Sequence, residues 1–571
     1  MNRFARVALI AATMFIANSA FAADTSAPAA EPVLERPTLR SLGAYWFITG
    51  DDNKNATITL DYQKAGEAEW HHGPNLFRLE KGLKSSVKIP EGAWLFAGSA
   101  LLLEPNTAYE LKLTLKDPDG GEATKTLAAH TISEPVAPKG PMKHVVPGNG
   151  GGTGTQVDPF KGIAAADKSA KPGDTFLLHA GVYTGSVTLK KHGEKGKPIV
   201  WRGAGDGEAI IDGEGASRAI QATGLSDLWF ENLTIRNATN GIVGHEAARL
   251  VVRRCHLHHV DFGVNSTKNS NNSLQDYFIV DNVIEGPSVW PRSKGIEDAR
   301  GIQLSGAGHV VAYNRIRGFG DAMDTFQGPH CEAIDFHNND CSECTDDGSE
   351  MDYSYRNTRN FENRYTNVFQ GVSVQPIYGG PVYVFRNVFY NVGLEPFKMH
   401  NEPSGALMIH NTIVKKGMPI TLNTNHRIGN CVYRNNLFIG TTDKYALDCE
   451  AKMVDCDFDY DGFGGGPFNN FMKWNRAKYA NIDEVHAKAP AEKHAVHITE
   501  TDKVFAAGTK PPEDETKQVM TPPDLRLAPG TPAIDAGQPV TGFDDGFSGA
   551  APDLGAYELG AAVPHYGPRT K

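Results

Sequence analysis

Five ionisable side chains fall at matched places in a run of short segments: Asp324, Glu350, Asp352, Lys398 and His400. Three carboxylates at close quarters repel one another unless a proton or a cation sits between them, so the set points to ion binding or acid–base work. Two chemistries use these residue types. Asp324, Glu350 and Asp352 are hard oxygen donors suited to Ca²⁺. A neutralised uronate carboxylate makes the neighbouring C5 proton acidic, and Lys398 would then be the base of a β-elimination, with His400 beside it. A lysine among bare carboxylates stays charged, so this chemistry needs the metal or another positive neighbour. Alternatively, Asp324 with Glu350 forms a retaining pair for glycoside hydrolysis, or Asp324 with Asp352 an inverting one, and Lys398 and His400 only hold the sugar. A third reading is a non-catalytic strip that binds ions or polysaccharide.

These residues meet only if the chain coils. Asn, any residue, then an apolar residue or Cys recurs at Asn314, Asn339, Asn363, Asn387, Asn411 and Asn436, at intervals of 25, 24, 24, 24 and 25 residues. A fixed period in the twenties is a solenoid. The segments 301–305, 322–326, 348–352, 371–375, 396–400 and 419–423 align as strands whose second and fourth positions are mostly apolar, such as Ile302, Met323, Val372 and Phe397. Alternation turns the third and fifth positions outward. One column is Gln303, Asp324, Glu350, Ser373, Lys398, Thr421; the other is Ser305, Phe326, Asp352, Gln375, His400, Asn423. Stacked strands lie roughly 4.8 Å apart, which puts column neighbours in contact. Phe326, Gln375 and Asn423 are then substrate-binding positions. Arg292 and Arg300 join them from an insertion before the first segment that overhangs the same face. The repeating Asn residues are turn residues whose stacked amides bond from coil to coil, a structural role.

The ends of the chain read differently. Residues 1–22 carry Arg3 and Arg6, an apolar run and Ala20-Phe21-Ala22, the pattern of a secretory signal peptide, so a periplasmic or extracellular protein is expected. Residues 23–36 are rich in Ala, Pro and Glu and read as a linker. A net charge of −11 argues against nucleic acid and anionic membrane as partners, but not against an acidic polysaccharide met by a local basic patch or a bound cation. A monomer is expected. Seven cysteines leave at least one unpaired; Cys331 with Cys341 or Cys344, and Cys431 with Cys449 or Cys456, are candidate partners.

Residues 37–134 alternate like a β-sandwich, and Leu103–Gly120 resembles strand F of fibronectin type III-like domains, which implies a corner contact by Tyr109. Farther on, Gly173–Tyr183, Lys197–Gly205 and Ala209–Gly213 resemble the opening coils of right-handed parallel β-helix proteins of the pectate-lyase-like superfamily. Asp524–Gly537 and Pro552–Glu558 resemble its closing phrases. The resemblance covers about 145–559 and leaves 560–571 as a tail. It implies an all-β chain, a right-handed parallel β-helix behind a small sandwich. It also implies a setting in which calcium-dependent lyases place carboxylate-bound Ca²⁺ and a Lys or Arg base on one sheet. The scaffold hosts hydrolases, epimerases and binders too, so it does not choose the reaction.

Overall fold

The computed structural model describes residues 24–270, 272–292, 298–328, 330–543 and 546–570; the expected signal peptide lies outside them. From Met142 onward the chain winds as a right-handed parallel β-helix. Each full coil lends a strand to a 16-stranded sheet and either one long strand or one or two short ones to a 17-stranded sheet. Stacking of like on like fills the interior. Phe176 lies on Trp201 with ring centroids 4.4 Å apart, and Tyr365 on Phe389 at 4.8 Å, the spacing of neighbouring coils. Among the described residues no helix is long and apolar enough to cross a membrane.

The asparagines form a continuous ladder. Asn282, Asn314, Asn339, Asn363, Asn387, Asn411 and Asn436 each donate Nδ2–H to the side-chain oxygen of the next rung at 2.9–3.2 Å, ending on Asp461. Each amide sends its second hydrogen to a main-chain carbonyl, as Asn363 does to Phe336 at 2.9 Å, so the stack satisfies itself in the dry interior.

Before the helix comes an eight-stranded antiparallel unit. Glu104 N–H donates to the Tyr109 hydroxyl at 3.0 Å, the corner contact expected of that tyrosine. The stretch expected as a linker belongs to this unit instead: Ala27–Pro28 and Val33–Leu34 both pair with Leu42–Thr49, because extended Ala/Pro-rich chain can complete a sheet edge. The unit is fastened to the outer face of the 16-stranded sheet by fully buried ions. Arg356 pairs with Glu35 at 2.5 Å, Arg359, held by Asp335 of the neighbouring coil, donates to Ser99 Oγ at 2.9 Å, and Ser99 N–H donates to the Tyr383 hydroxyl. A buried pair in such a contact fixes registry more than it adds stability. The tail also docks, through Arg569 to Asp281 at 2.8 Å and to Glu134 at 2.5 Å. All seven cysteines are free thiols, six of them buried as small hydrophobes, so the pairs suggested by spacing do not form.

Candidate active site

Five strands build the site: β1 (Arg300–Leu304), β2 (Asp321–Thr325), β3 (Asp340–Glu350), β4 (Arg364–Ser373) and β5 (Phe397–Lys398). Gln303 lies opposite Asp324, Asp324 opposite Glu350, Glu350 opposite Ser373 and Ser373 opposite Lys398, the first outward column in the expected order. Ile302, Met323, Val372 and Phe397 are buried on the inner side. The column ends there. Ile420–Leu422 pairs with Leu447–Cys449 in a separate four-stranded sheet, so Thr421 and Asn423 do not continue it. Pro396 and Pro419, each directly before its short strand, have no N–H to give and shorten the ladder at this level. Asn423 turns to the next coil, donating to Asp448 at 3.2 Å.

The carboxylates that meet are not the three expected. Asp321, Asp346, Asp347 and Glu350 each offer an oxygen, and all four atoms lie within 4.8 Å of one another. Asp324 and Asp352 stand outside this group. Asp324 accepts from Gln303 Nε2 at 2.5 Å, and Asp352 accepts from Ser373 Oγ at 2.8 Å and from Gln375 N–H at 2.6 Å. The reason is a bend. Between Cys344 and Asp347 the register of β3 against β4 slips by one residue, and a bulge of this kind re-aims side chains that alternation would send inward. Gly348 permits it: a Cβ there would come within 2.6 Å of the Tyr365 ring and 2.8 Å of the Gly371 oxygen. A sequence signal existed, since Asp-x-x-Asp (321–324) and Asp-x-x-Glu (347–350) repeat across coils, with Asp347 N–H donating to Asp321 Oδ1 26 residues away. Strict alternation over five-residue segments hid it.

Three cations face the four acids. Lys398 Nζ pairs with Asp347 Oδ2 at 2.8 Å, Arg300 Nε with Asp321 Oδ2 at 2.6 Å, and Arg292 Nη1 with Asp346 Oδ1 at 3.5 Å. The other oxygen of Asp347 is buried with no hydrogen-bond partner. Burial first, and then the charge of Glu350, push Asp321 well above the usual carboxylate range and Asp324 up to about 7. Burial opposes a charge on Lys398, yet Asp347 and Asp346 outweigh it and hold the ammonium above its ordinary range. A cluster that carries surplus protons and an orphaned buried oxygen suits a hard divalent cation, with Asp321, Asp346, Asp347 and Glu350 as its oxygen ligands.

The remaining expected residues line the rim. His400 lies 3.6 Å from Glu395, and burial, then Lys398, lower its pKa, which keeps its ring neutral. Phe326 is 43% exposed at the end of β2, and Gln375 is half-buried beyond β4. Arg292, from the insertion, lies 4.4 Å over the Phe369 ring.

No protein-family model matches the chain. A stretch of 90 residues is 31% identical to the uncharacterized protein YwoF of Bacillus subtilis (strain 168), spanning 15% of this chain and 19% of that protein. Pectate lyase L of Dickeya dadantii (strain 3937) is 24% identical over 437 residues, 72% of this chain and 88% of that protein. Among solved structures, pectate lyase Pel9A aligns at 19% identity and a TM-score of 0.38, covering 73% of this chain and 96% of that one. A complex of XylC with xylose aligns at 13% identity and 0.45, covering 64% and 87%. At such scores the fold rests on the strand ladders described above.

Proposed function

We propose that this chain is an exported polysaccharide lyase that cleaves a uronate-containing polymer by β-elimination. The observation that carries the reading is the juxtaposition of Lys398 with the buried carboxylates of Asp321, Asp346 and Asp347 and the half-buried Glu350; one oxygen of Asp347 has no hydrogen-bond partner. Those four residues would hold Ca²⁺, which when bound supplies positive charge for a substrate carboxylate and so acidifies its C5 proton. Lys398 is the base. While Asp347 holds its ammonium it cannot accept a proton; once that carboxylate is engaged elsewhere and Nζ has released a proton to solvent, the neutral amine takes the C5 proton, the C–H electrons form the C4=C5 bond, the C4–O4 bond breaks, and the departing O4 takes a proton from water. Phe397, buried behind Lys398, and Ser373 beside it fix where Nζ can reach. Arg300 and Arg292 hold the carboxylates in place and add positive charge over the groove. The match to Pectate lyase L supports the same substrate class.

A second reading has one observation in its favour. Asp324, pushed up to about 7 and directly opposite Glu350, keeps a proton near neutrality as the acid of a glycosidase must. One assay separates the two. The purified protein is incubated with a panel of acidic and neutral polysaccharides while reducing ends and the ultraviolet absorbance of the unsaturated product are followed together. Both signals mean elimination; reducing ends alone mean hydrolysis.

A further inference from the structure

The sandwich at the N-terminus is not confined to the back of the helix. Its loop 79–91, between His71–Arg78 and Trp94–Ala100, runs across the starts of the strands Tyr378–Phe385, Ser404–Ile409 and Arg427–Gly429 of the 16-stranded sheet and reaches Glu332, in the turn that follows β2. Two anchors pin the loop. Glu80 pairs with Arg427 at 2.6 Å and accepts from Ser404 Oγ at 3.0 Å, while Ser86 Oγ bonds Glu332 and accepts from Arg356 Nη1 at 2.6 Å. Between the anchors stands the exposed Lys84, whose Nζ lies 3.4 Å from the Tyr378 hydroxyl and 5.0 Å from the centre of its ring.

Tyr378 belongs to an aromatic rim. Its ring is 5.0 Å from that of Tyr355, in the coil below, and Tyr353 N–H in the same turn donates to Pro376 oxygen at 2.6 Å. Tyr353 holds φ at 60°, a left-handed backbone that a bulky residue adopts only where surrounding structure requires it. Tyr353 directly follows Asp352, whose carboxylate accepts from Gln375 N–H at 2.6 Å, so this turn adjoins the outward columns. The opposite lip repeats the combination of a cation over a ring, in Arg292 on Phe369.

We propose that Lys84, with Tyr378 and Tyr353, forms a binding site for a uronate unit of an acidic polysaccharide, so that the N-terminal unit supplies one wall of the substrate groove. An ammonium beside a half-buried aromatic ring suits this ligand: the apolar face of the sugar lies on the tyrosine and its carboxylate meets the lysine. The loop also carries Lys81 and Lys88, three lysines in all against Glu80, which Arg427 holds, and Glu91, so it bears a small excess of positive charge in a chain of net charge −11. The inference rests on the reading of the groove as a site for an acidic polymer.

The test uses the full chain with Lys398→Ala to block turnover, and titrates polygalacturonate, alginate and a neutral methyl ester of the first. Adding Lys84→Glu should weaken binding of the preferred acidic polymer by about tenfold or more, because a like charge then faces the carboxylate, and Tyr378→Ala should weaken it by several-fold. Lys84 is exposed, so melting temperatures should not move with its substitution. In the chain with Lys398 intact, Lys84→Glu should raise KM for polymer while kcat stays within about twofold. Binding of an acidic polymer that is unchanged by Lys84→Glu, together with an unchanged KM, overturns this inference and leaves the lyase reading standing. No binding of either acidic polymer by the Lys398→Ala chain, with no unsaturated product from the unmutated chain, overturns both.

Discussion

Two stacks of polar side chains climb this helix, and they obey opposite rules. In the asparagine ladder the rungs from Asn314 to Asn436 are neutral and self-complementary, each side-chain oxygen accepting two N–H groups and each amide giving two. At the bend of the 17-stranded sheet the stacked groups are alike in charge, and Asp347 keeps a buried oxygen with no partner. A stack that satisfies itself has no need of a ligand. A stack of buried like charges is stable only with protons, counter-ions or a metal, so it marks where something binds.

The largest effect expected from this contrast is on turnover at the bend. Lys398→Ala should lower kcat on the order of a thousandfold, the usual weight of a positioned base, while polymer binding largely survives. Initial rates and equilibrium binding measured on the same variant check both halves. Next in size is Glu350→Gln, which should cost at least about tenfold at limiting Ca²⁺ and be partly restored by adding more, with a chelator reproducing the loss in the unmutated protein. In chelator the same variant should melt no lower than the parent, since it removes one of four crowded carboxylates. Full activity in excess chelator with a mild Lys398→Ala phenotype would sink the lyase reading and favour the Asp324–Glu350 pair.

How much of this was legible in sequence follows from periodicity. Where the chain keeps a period near 24 and strict alternation, reading succeeds: the ladder from Asn314 to Asn436, the column from Gln303 to Lys398 and the inward set around Met323 and Phe397 all stand as spacing predicts. Where the strand bends, alternation loses its meaning. Asp321, Asp346 and Asp347 sit at that bend, and the one-residue slip in β3 brings them to Glu350. Segment 419–423 escaped for a related reason, because the repeat of its turn asparagine continued while its strand left the sheet. Tertiary reach was invisible as well: nothing in the composition of 24–36 or 79–91 shows that Glu35, Arg36 and Lys84 reach the helix.

On the ladder the contrast predicts loss of stability without chemistry. Asn363→Ala removes the acceptor for Asn339 and the donors to Asn387 and Phe336 oxygen, leaving several buried groups unpaired. The cost should be about 3 kcal/mol, read from denaturant or thermal unfolding, with kcat per folded molecule retained. A loss of kcat in the folded fraction would join the two stacks functionally and break the distinction drawn here.

The smallest effect, and the one that sharpens the rule most, lies at the last rung. Asp461 is the single carboxyl on the ladder. Its Oδ1 accepts from Asn436 N–H and Nδ2–H, its own N–H donates to Glu492 Oε2 at 3.4 Å, and its carboxyl meets that of Glu492. Burial pushes Asp461 from 3.8 up to about 7, and burial with the charge of Asp461 raises Glu492 as well. Between about pH 4 and pH 7 the folded chain therefore binds more protons here than the unfolded chain, so stability is greatest at the acid end and falls as pH rises through about 7. Asp461→Asn keeps the acceptor oxygen for Asn436 and removes the charge. It should flatten that fall and raise stability at pH 8 by about 1–2 kcal/mol, with little change at pH 4. Unfolding curves at the two pH values decide it: if the variant is no more stable than the parent at pH 8, a neutral rung is not what the ladder requires at its end.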